Sequence, residues 1–182
     1  MQFIPLLDAT PEVQAEVRNL RNQTAVRKFM YTEHEISLDE HAAWLESLKG
    51  NPRQSVFVVM LDDKPAGVVS LNAINALHHS ADWAFYLDGA LQGKGVGSQV
   101  ELWLLNHAFD IVRLEKLNCE VLQSNMAVIR LHEKFGFVIE GVRRQNVIKD
   151  GRRMDVVLLG ITREEWLEQR PKMQAVLDRL MR

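Results

Sequence analysis

A glycine-rich loop at residues 88–97 has residue types and spacing that suit phosphate binding. An apolar run ends at Leu87, glycines follow at positions 93, 95 and 97, and a helical pattern overlaps the last of them. The first N–H groups of a helix have no partner inside it, and the helix dipole adds partial positive charge, so anions bind there readily. Glycines let the backbone approach a diphosphate without a Cβ in the way. The pattern predicts an anion-binding loop; a flexible strand-to-helix turn is the alternative.

Two well-known phosphate loops do not match this one. A Walker loop needs a Lys-Ser or Lys-Thr pair after its last glycine, and the dinucleotide fingerprint needs a third glycine where Val100 stands. What remains is Gln-x-x-Gly-x-Gly on Gln92, Gly95 and Gly97. This pattern resembles the acetyl-coenzyme A loop of the GNAT superfamily of N-acetyltransferases.

A second motif follows the loop. It runs from Ser124 to Phe137 and continues with Glu140-Gly141. It is similar to the other signature of the same superfamily, and the resemblance covers about residues 10–160. Length and composition fit a single domain over residues 1–182. The resemblance implies an α/β fold in which a twisted mixed sheet of about seven strands carries helices on both faces. It also implies acetyl-CoA as cosubstrate, no metal, and a pantetheine arm lying where the fourth and fifth strands splay apart.

The resemblance assigns the cofactor to the loop and the strand edge before it. Backbone groups around Tyr86 and Asp88 would pair with the pantetheine amides, and N–H groups from Gln92 to Ser98 would hold the pyrophosphate. Asn125 at a helix start is a further cofactor contact, with plain N-capping as its alternative. The full cofactor set is Tyr86, Leu87, Asp88, Gln92, Gly93, Lys94, Gly95, Val96, Gly97, Ser98, Asn125 and Arg130.

Two residues take catalytic roles by their position in this resemblance. Glu120 would accept the amine proton, directly or through water; a surface-facing strand carboxylate is the alternative. His132 stands where many relatives place a tyrosine that protonates the coenzyme thiolate. A histidine with the ordinary pKa of about 6.5 is mostly neutral at pH 7, unlike a phenol. Either His132 or water is therefore expected to supply that proton.

A narrower resemblance is spread over the N-terminal half, at Arg21-Asn22, Phe29-Met30-Tyr31, Ile36-Ser37-Leu38, His41, Ile74-Asn75, His78 and Tyr86. These residues resemble those of the acetyltransferases of pseudaminic acid biosynthesis. This resemblance implies transfer to the 4-amino group of a UDP-linked 4-amino-4,6-dideoxy sugar. Met30, Tyr31 and His78 would then line the nucleotide-sugar site, with gap-filling between two helices as the alternative for Met30 and Tyr31.

Two other functions compete with the amino-sugar enzyme. One is an acetyltransferase acting on a protein N-terminus, a ribosomal protein or a polyamine. A polyamine site should be acidic, and the N-terminal half is not especially acidic beyond Glu33, Glu35, Asp39 and Glu40. The other, from a different class, is an acyl-CoA-binding sensor with weak catalysis.

Composition restricts partners and location. A net charge of −2 and a pI near 6.3 give no overall field that attracts nucleic acid. No apolar run reaches the roughly 18 residues of a membrane span, so no membrane partner and a cytoplasmic location are expected. The lone Cys119 is expected to be a buried structural thiol, and the scattered histidines do not suggest zinc. A homodimer is left open.

The elements that must position these residues alternate between helix and strand. Helices are predicted over residues 10–22, 37–50, from 96 through Ala108, over 125–135, and from 162 onward with a break at Pro171. Strands are predicted over residues 55–61, 66–74, 81–87, 116–122, 137–149 and 152–160, and Asp150-Gly151 indicates a hairpin between the last two. The strand–helix alternation predicts one parallel pair. The four arginines nearby are expected to form a solvated hairpin rim, with a diphosphate contact as the alternative; they are Arg143, Arg144, Arg152 and Arg153.

Overall fold

One mixed sheet of seven strands carries the site. The computed structural model describes residues 1–180. The strands are β1 (Gln2–Pro5), β2 (Ser55–Leu61), β3 (Lys64–Asn75), β4 (Ser80–Leu87), β5 (Lys116–Leu122), β6 (Val138–Lys149) and β7 (Arg152–Thr162). Their order across the sheet is β1-β2-β3-β4-β5-β7-β6. Neighbours β4 and β5 run parallel, whereas the other neighbouring pairs are antiparallel. The predicted mixed sheet and its parallel pair are confirmed.

Local sequence features fix where several helices begin. The helices are α1 (Pro11–Asn22), α2 (Thr24–Arg27), α3 (Leu38–Leu48), α4 (Val96–Asn106), α5 (Met126–Lys134) and α6 (Arg163–Leu180). The Thr10 hydroxyl accepts from the Val13 N–H at the start of α1. At the start of α3, the Ser37 hydroxyl accepts from the Glu40 N–H and the Glu40 carboxylate accepts from the Ser37 N–H. These caps satisfy donors that the helix itself leaves unpaired.

Helices cover both faces of the sheet, as predicted. On one face, apolar side chains of α4, α5 and α6 pack against alternate residues of the central strands; Leu104, Ile129 and Trp166 are buried there. On the other face, α1 and α3 contribute Val17 and Leu48 to a smaller core over β2 and β3. The alternation arises because successive strand residues point to opposite faces.

The two parallel strands separate after three paired residues. β4 and β5 are in register only from Ser80 with Lys116 to Asp82 with Asn118. Each strand remains paired on its outer side: β4 with β3 as far as Leu87, and β5 with β7 as far as Leu122. The inner edges of β4 and β5 therefore diverge and leave a wedge, as the resemblance implied.

The structure also differs from the sequence-based assignment. Strand β1 was not located from sequence, because four residues ending in Pro5 give no alternating pattern; pairing with β2 holds it. The β2–β3 turn consists of Asp62 and Asp63, with Lys64 already in β3. Helix α6 continues through Pro171 and does not break there. Pro171 is exposed, and buried Trp166 and Met173 anchor the helix on either side of it.

Candidate active site

A cavity of about 580 Å³ occupies the wedge between β4 and β5. Its walls come from α2 and the residues after it, from β4, from the glycine loop, and from β5 and α5. It is half enclosed by apolar side chains such as Phe29, Trp83 and Leu131. The predicted site residues that line it are Met30, Tyr86, Leu87, Gln92, Gly93, Gly95, Gly97, Ser98, Glu120, Asn125 and His132. The fold thus gathers most of the predicted site around one cavity.

The glycine loop has the shape of an anion cradle. Gly93 and Gly95 have positive φ angles of 75° and 77°, a conformation that L side chains rarely adopt. Gly95 is the N-cap of α4, and a Cβ added there would meet no heavy atom within 4 Å in the described chain. No described side chain caps this helix end. Its first-turn N–H groups, at Val96, Gly97 and Ser98, are therefore suited to a diphosphate.

The backbone of β4 presents alternate residues to the wedge. The Asp88 N–H donates to the Ala66 carbonyl of β3 at 2.8 Å, while the His79 carbonyl accepts from the Lys116 N–H on the opposite side. Alternation along the strand then directs the main-chain groups of Phe85 and Leu87 toward the wedge. This corrects the expectation for Tyr86, which pairs with Val68 of β3, and for Asp88, whose N–H points to β3 while its carbonyl accepts from the Leu91 N–H. The Tyr86 hydroxyl donates to the Val17 carbonyl, away from the wedge.

Glu120 lies in the wall of the wedge and has two polar partners. The Tyr31 hydroxyl donates to Oε2 at 2.6 Å, and Arg143 Nη1 of β6 donates to Oε1. Partial burial, together with the hydrogen bond to Glu120, raises the pKa of Tyr31. The phenol therefore stays protonated and remains a donor. Both donors therefore fix the orientation of the Glu120 carboxylate in the cavity wall.

His132 is buried, with 2% of its surface exposed, but its ring reaches the cavity wall. Its Nδ1 lies 2.9 Å from Oε1 of Glu101, a fully buried carboxylate on α4. Burial acts to lower the pKa of His132, but the Glu101 carboxylate and the Cys119 thiol outweigh burial and raise that pKa to about 10. Burial raises the pKa of Glu101, because it disfavours the charged carboxylate, and His132 opposes that rise. Because the pKa of each group is raised, the Glu101–His132 pair holds at least one proton at neutral pH.

The chain segment that follows α2 is tied to the β6–β7 hairpin. Lys149, buried near the end of β6, donates from Nζ to the carbonyls of Arg27 and Met30 at 3.0 and 2.8 Å. Nearby, the Asp150 N–H donates to a carboxylate oxygen of Glu33. These contacts hold residues 27–33 beside the mouth of the wedge.

Several predicted site residues lie elsewhere. His78 is exposed in the turn between β3 and β4, at the paired end of the wedge and outside the cavity lining. Arg130 and Lys94 are exposed and do not line the cavity, while the buried side chain of Val96 joins the core. Asn125 lines the cavity, and it makes no capping bond with any described residue, so its amide is free to face a ligand.

Sequence reasoning missed three residues of the site, namely Glu101, Arg143 as a partner of Glu120, and Lys149. Arg143 is not part of a purely solvated rim, because it reaches back to β5. Glu101 does carry one sequence feature, since it is a charged residue directly after Val100 in the apolar stripe of α4. Its pairing with a histidine 31 positions later has no local pattern.

A splayed parallel pair with a glycine-rich loop, a carboxylate and a buried histidine in one wedge is an arrangement that suits an acyl-coenzyme A-dependent transferase. The family model for the acetyltransferase (GNAT) domain matches residues 6–138, and the chain belongs to this family. Acetyl-CoA is the cosubstrate that the family uses. Within residues 1–180, no group of three His, Cys, Asp or Glu side chains suits a metal ion, and no helix has the length and apolar character to cross a bilayer.

Relatives with known names match most of the chain. The spermidine N(1)-acetyltransferase of Escherichia coli K12 is 24% identical over 84% of this chain and 82% of its own. The crystal structure of spermidine N-acetyltransferase from Vibrio cholerae, in complex with CoA and spermine, superposes with a TM-score of 0.83 at 26% identity over 91% of this chain and 97% of its own. The acetyltransferase PseH of Campylobacter jejuni is 27% identical over 65% of this chain and 73% of its own. The narrower amino-sugar resemblance is therefore not confirmed.

Proposed function

We propose that this chain transfers an acetyl group from acetyl-CoA to a primary amine of a small acceptor, and that the acceptor is a polyamine such as spermidine. The main support for this proposal is the wedge, whose single cavity is lined by the glycine loop and by both Glu120 and His132. Acetyl-CoA, when bound, supplies the activated acetyl thioester. The residues of this chain bind and orient it and handle the protons.

Binding is assigned to backbone groups. The first-turn N–H groups of α4 hold the diphosphate, and the wedge-facing main-chain groups of Phe85 and Leu87 pair with the pantetheine arm. One of these N–H groups is placed to stabilise negative charge on the thioester oxygen, a contribution of roughly 3 kcal/mol in comparable sites.

Glu120 accepts the proton that the amine gives up. Its carboxylate lies at the acceptor side of the wedge, where Tyr31 and Arg143 hold it in one orientation. A positioned base of this kind contributes about a hundredfold to ten-thousandfold in rate. A cationic amine is also attracted to Glu120 before it loses its proton.

The polyamine acceptor is supported by the similarity to the spermidine acetyltransferases, which extends over most of the chain. The acidic segment beside the wedge agrees with it, since Glu33 and Glu35 are held there by contacts to Asp150 and Arg27. Carboxylates at that position suit the distal ammonium groups of a polyamine.

An amino-sugar nucleotide is the second candidate, because cationic side chains also approach the mouth. Lys28 lines the cavity, and Arg143 reaches Glu120 from β6. Such groups suit a nucleotide diphosphate better than a polycation. The partial similarity to PseH supports the same candidate.

Coenzyme A release, measured with each acceptor in turn, tests these proposals. Spermidine, spermine, a UDP-linked 4-amino-4,6-dideoxy sugar and an N-terminal peptide form the panel. We expect saturable release with spermidine and a several-fold higher KM after Glu33→Gln and Glu35→Gln together. Release with the UDP-sugar alone would transfer the proposal to the second candidate. Tight acetyl-CoA binding without release from any acceptor would indicate a binding module and contradict the enzyme proposal.

A further inference from the structure

The buried pair Glu101–His132 lies at the wall of the wedge, where His132 lines the cavity and Glu101 contacts it from α4. Glu101 lies at the second turn of α4, and His132 lies in the last turn of α5, so two helices meet at this contact. Glu101 is fully buried, and its Oε2 has no hydrogen-bond partner among residues 1–180. A buried carboxylate with one partner is expensive to maintain, so its single contact with His132 calls for an explanation.

The surroundings of His132 provide no other charge that could compete with Glu101. Its ring packs against Trp83 and Phe137, with ring centroids 4.9 and 5.3 Å apart, and Phe85 is farther away at 6.2 Å. The titratable groups that face it are Glu101 from α4 and Cys119 from β5. Of the two, Glu101 is the carboxylate, and its Oε1 lies 2.9 Å from the ring Nδ1. The carboxylate therefore dominates the protonation of the ring.

We propose that Glu101 is a positioning residue that keeps His132 protonated at neutral and mildly basic pH, so that His132 serves as the acid that protonates the departing coenzyme thiolate. This inference rests on the proposed acetyl transfer. In the transfer, a C–N bond forms and the C–S bond breaks. An ammonium first releases its extra proton to solvent. The neutral amine then gives one proton to Glu120 as it forms the C–N bond, the sulfur receives one from the His132–Glu101 pair, and both groups then exchange these protons with solvent.

A histidine without a charged partner would be a poor acid at neutral pH, and the contact with Glu101 changes this. An ordinary imidazole has lost most of its extra proton at pH 7, whereas a phenol keeps its proton until about pH 10. Because His132 is hydrogen-bonded to a buried carboxylate, its ring keeps its extra proton to a higher pH, as a phenol does. The acid role is thus compatible with histidine only while Glu101 is present.

Nuclear magnetic resonance of the ring nitrogens tests the protonation state without any acceptor. We expect both ring nitrogens of His132 in the free protein to stay protonated as the pH is raised to at least 8.5. In Glu101→Gln, the ring should already lose one of these protons before the pH reaches 7.5. His41 is an internal control in the same spectra. It is also buried and hydrogen-bonded, to the Gln14 carbonyl, but burial lowers its pKa. A neutral His132 at pH 7 in the wild type would overturn the inference, whatever acceptor the enzyme uses.

Kinetics test the acid role with whichever amine is turned over. The ratio of wild-type to Glu101→Gln kcat should be roughly 100 at pH 8.5 and less than about ten at pH 6, because an imidazole of ordinary pKa is about 1% protonated at pH 8.5. A pH-independent ratio would assign Glu101 a structural role only.

Rescue by a phenol completes the test. His132→Tyr should retain activity at pH 8.5 within about tenfold of wild type, and adding Glu101→Gln in that background should change kcat by less than about threefold. If Glu101→Gln fails to fold, His132→Tyr together with Glu101→Leu keeps the comparison possible. An equal loss from Glu101→Gln in both backgrounds would refute the proposal.

Discussion

Gly95→Ala separates backbone strain from ligand contact at the phosphate loop. Gly95 has a φ of 77°, so an alanine there takes on left-handed strain of about 1–2 kcal/mol. Alanine also restricts the unfolded chain, which offsets about 0.4–1 kcal/mol. The net loss should be about 1 kcal/mol, or about 2–4 °C in Tm for a chain of this length. The added Cβ meets no described atom within 4 Å, so steric clash adds nothing.

Gly50→Ala provides a matched control. Gly50 follows α3 with a φ of 65°, and its added Cβ likewise has no described neighbour within 4 Å. It does not line the wedge. Without ligand, both substitutions should therefore lower Tm by similar amounts.

Coenzyme A distinguishes the two variants. At a concentration 100 times Kd, a ligand stabilises the folded state by about 2.7 kcal/mol, and each tenfold weakening removes about 1.4 kcal/mol of that. Gly95 lines the cavity at the N-terminus of α4, where we assign the diphosphate, and an added Cβ meets no described atom there. We therefore expect the Kd for coenzyme A to rise at least about tenfold and the ligand-induced Tm shift to fall by about 3–6 °C. Gly50→Ala should keep the wild-type shift. Thermal scans and calorimetric titration measure both effects, and equal shifts in the two variants would refute the cradle.

Three further outcomes follow from particular contacts. Gly67→Ala should lower stability by about 3 kcal/mol or prevent folding, because its Cβ would lie 2.2 Å from a carbonyl oxygen of β4. Gly141→Ala is the control, since its Cβ would lie 3.9 Å from the nearest side chain and should cause no such loss. Urea unfolding compares the two variants. Lys149→Met should lower stability by about 1–3 kcal/mol, because the Met30 carbonyl loses its Nζ donor, whereas the Arg27 carbonyl keeps the Met30 N–H. It should also raise the KM for the amine with little change in the Kd for coenzyme A, as steady-state kinetics and titration can show. The pKa of His132 is about 10 in the folded state, above its unfolded value of about 6.5. The free energy of unfolding should therefore fall as pH rises from about 6.5 to 10, by at most about 1.4 kcal/mol per pH unit. A flat urea-unfolding profile over that range, or the same slope in Glu101→Gln, would contradict this.

Much of the fold was predictable because the decisive features are local. The caps at Thr10 and Ser37 and the hairpin at Asp150-Gly151 depend on residues within four positions of one another. Strand β1 lacks such a pattern and forms only because β2 offers it a partner. The continuation of α6 through Pro171 is likewise set by tertiary packing, which overrides a strong local preference.

The candidate site divides in the same way. The glycine loop is visible in sequence because its residues are consecutive, and the structure brings the loop and the wedge together. The contact of Arg143 with Glu120 depends on strand order, since β7 separates β5 from β6 in the sheet. The Glu101–His132 pair depends on how two helices meet. Such contacts have no sequence spacing that could reveal them.

The wedge itself explains why the ligand should stabilise the protein locally. Both strands are paired along their outer edges, so the sheet is held open and cannot close to pair the inner edges. Main-chain groups of Phe85 and Leu87 then depend on water until a ligand pairs with them, whereas the Tyr86 amide bonds to β3. Hydrogen exchange should accordingly be fast at Phe85 and Leu87 in the free protein and slow by at least about tenfold with coenzyme A, while the Tyr86 amide is protected in both states. Protection that rose equally at all three amides would mean general tightening of the fold, and would contradict pairing between ligand and strand edge.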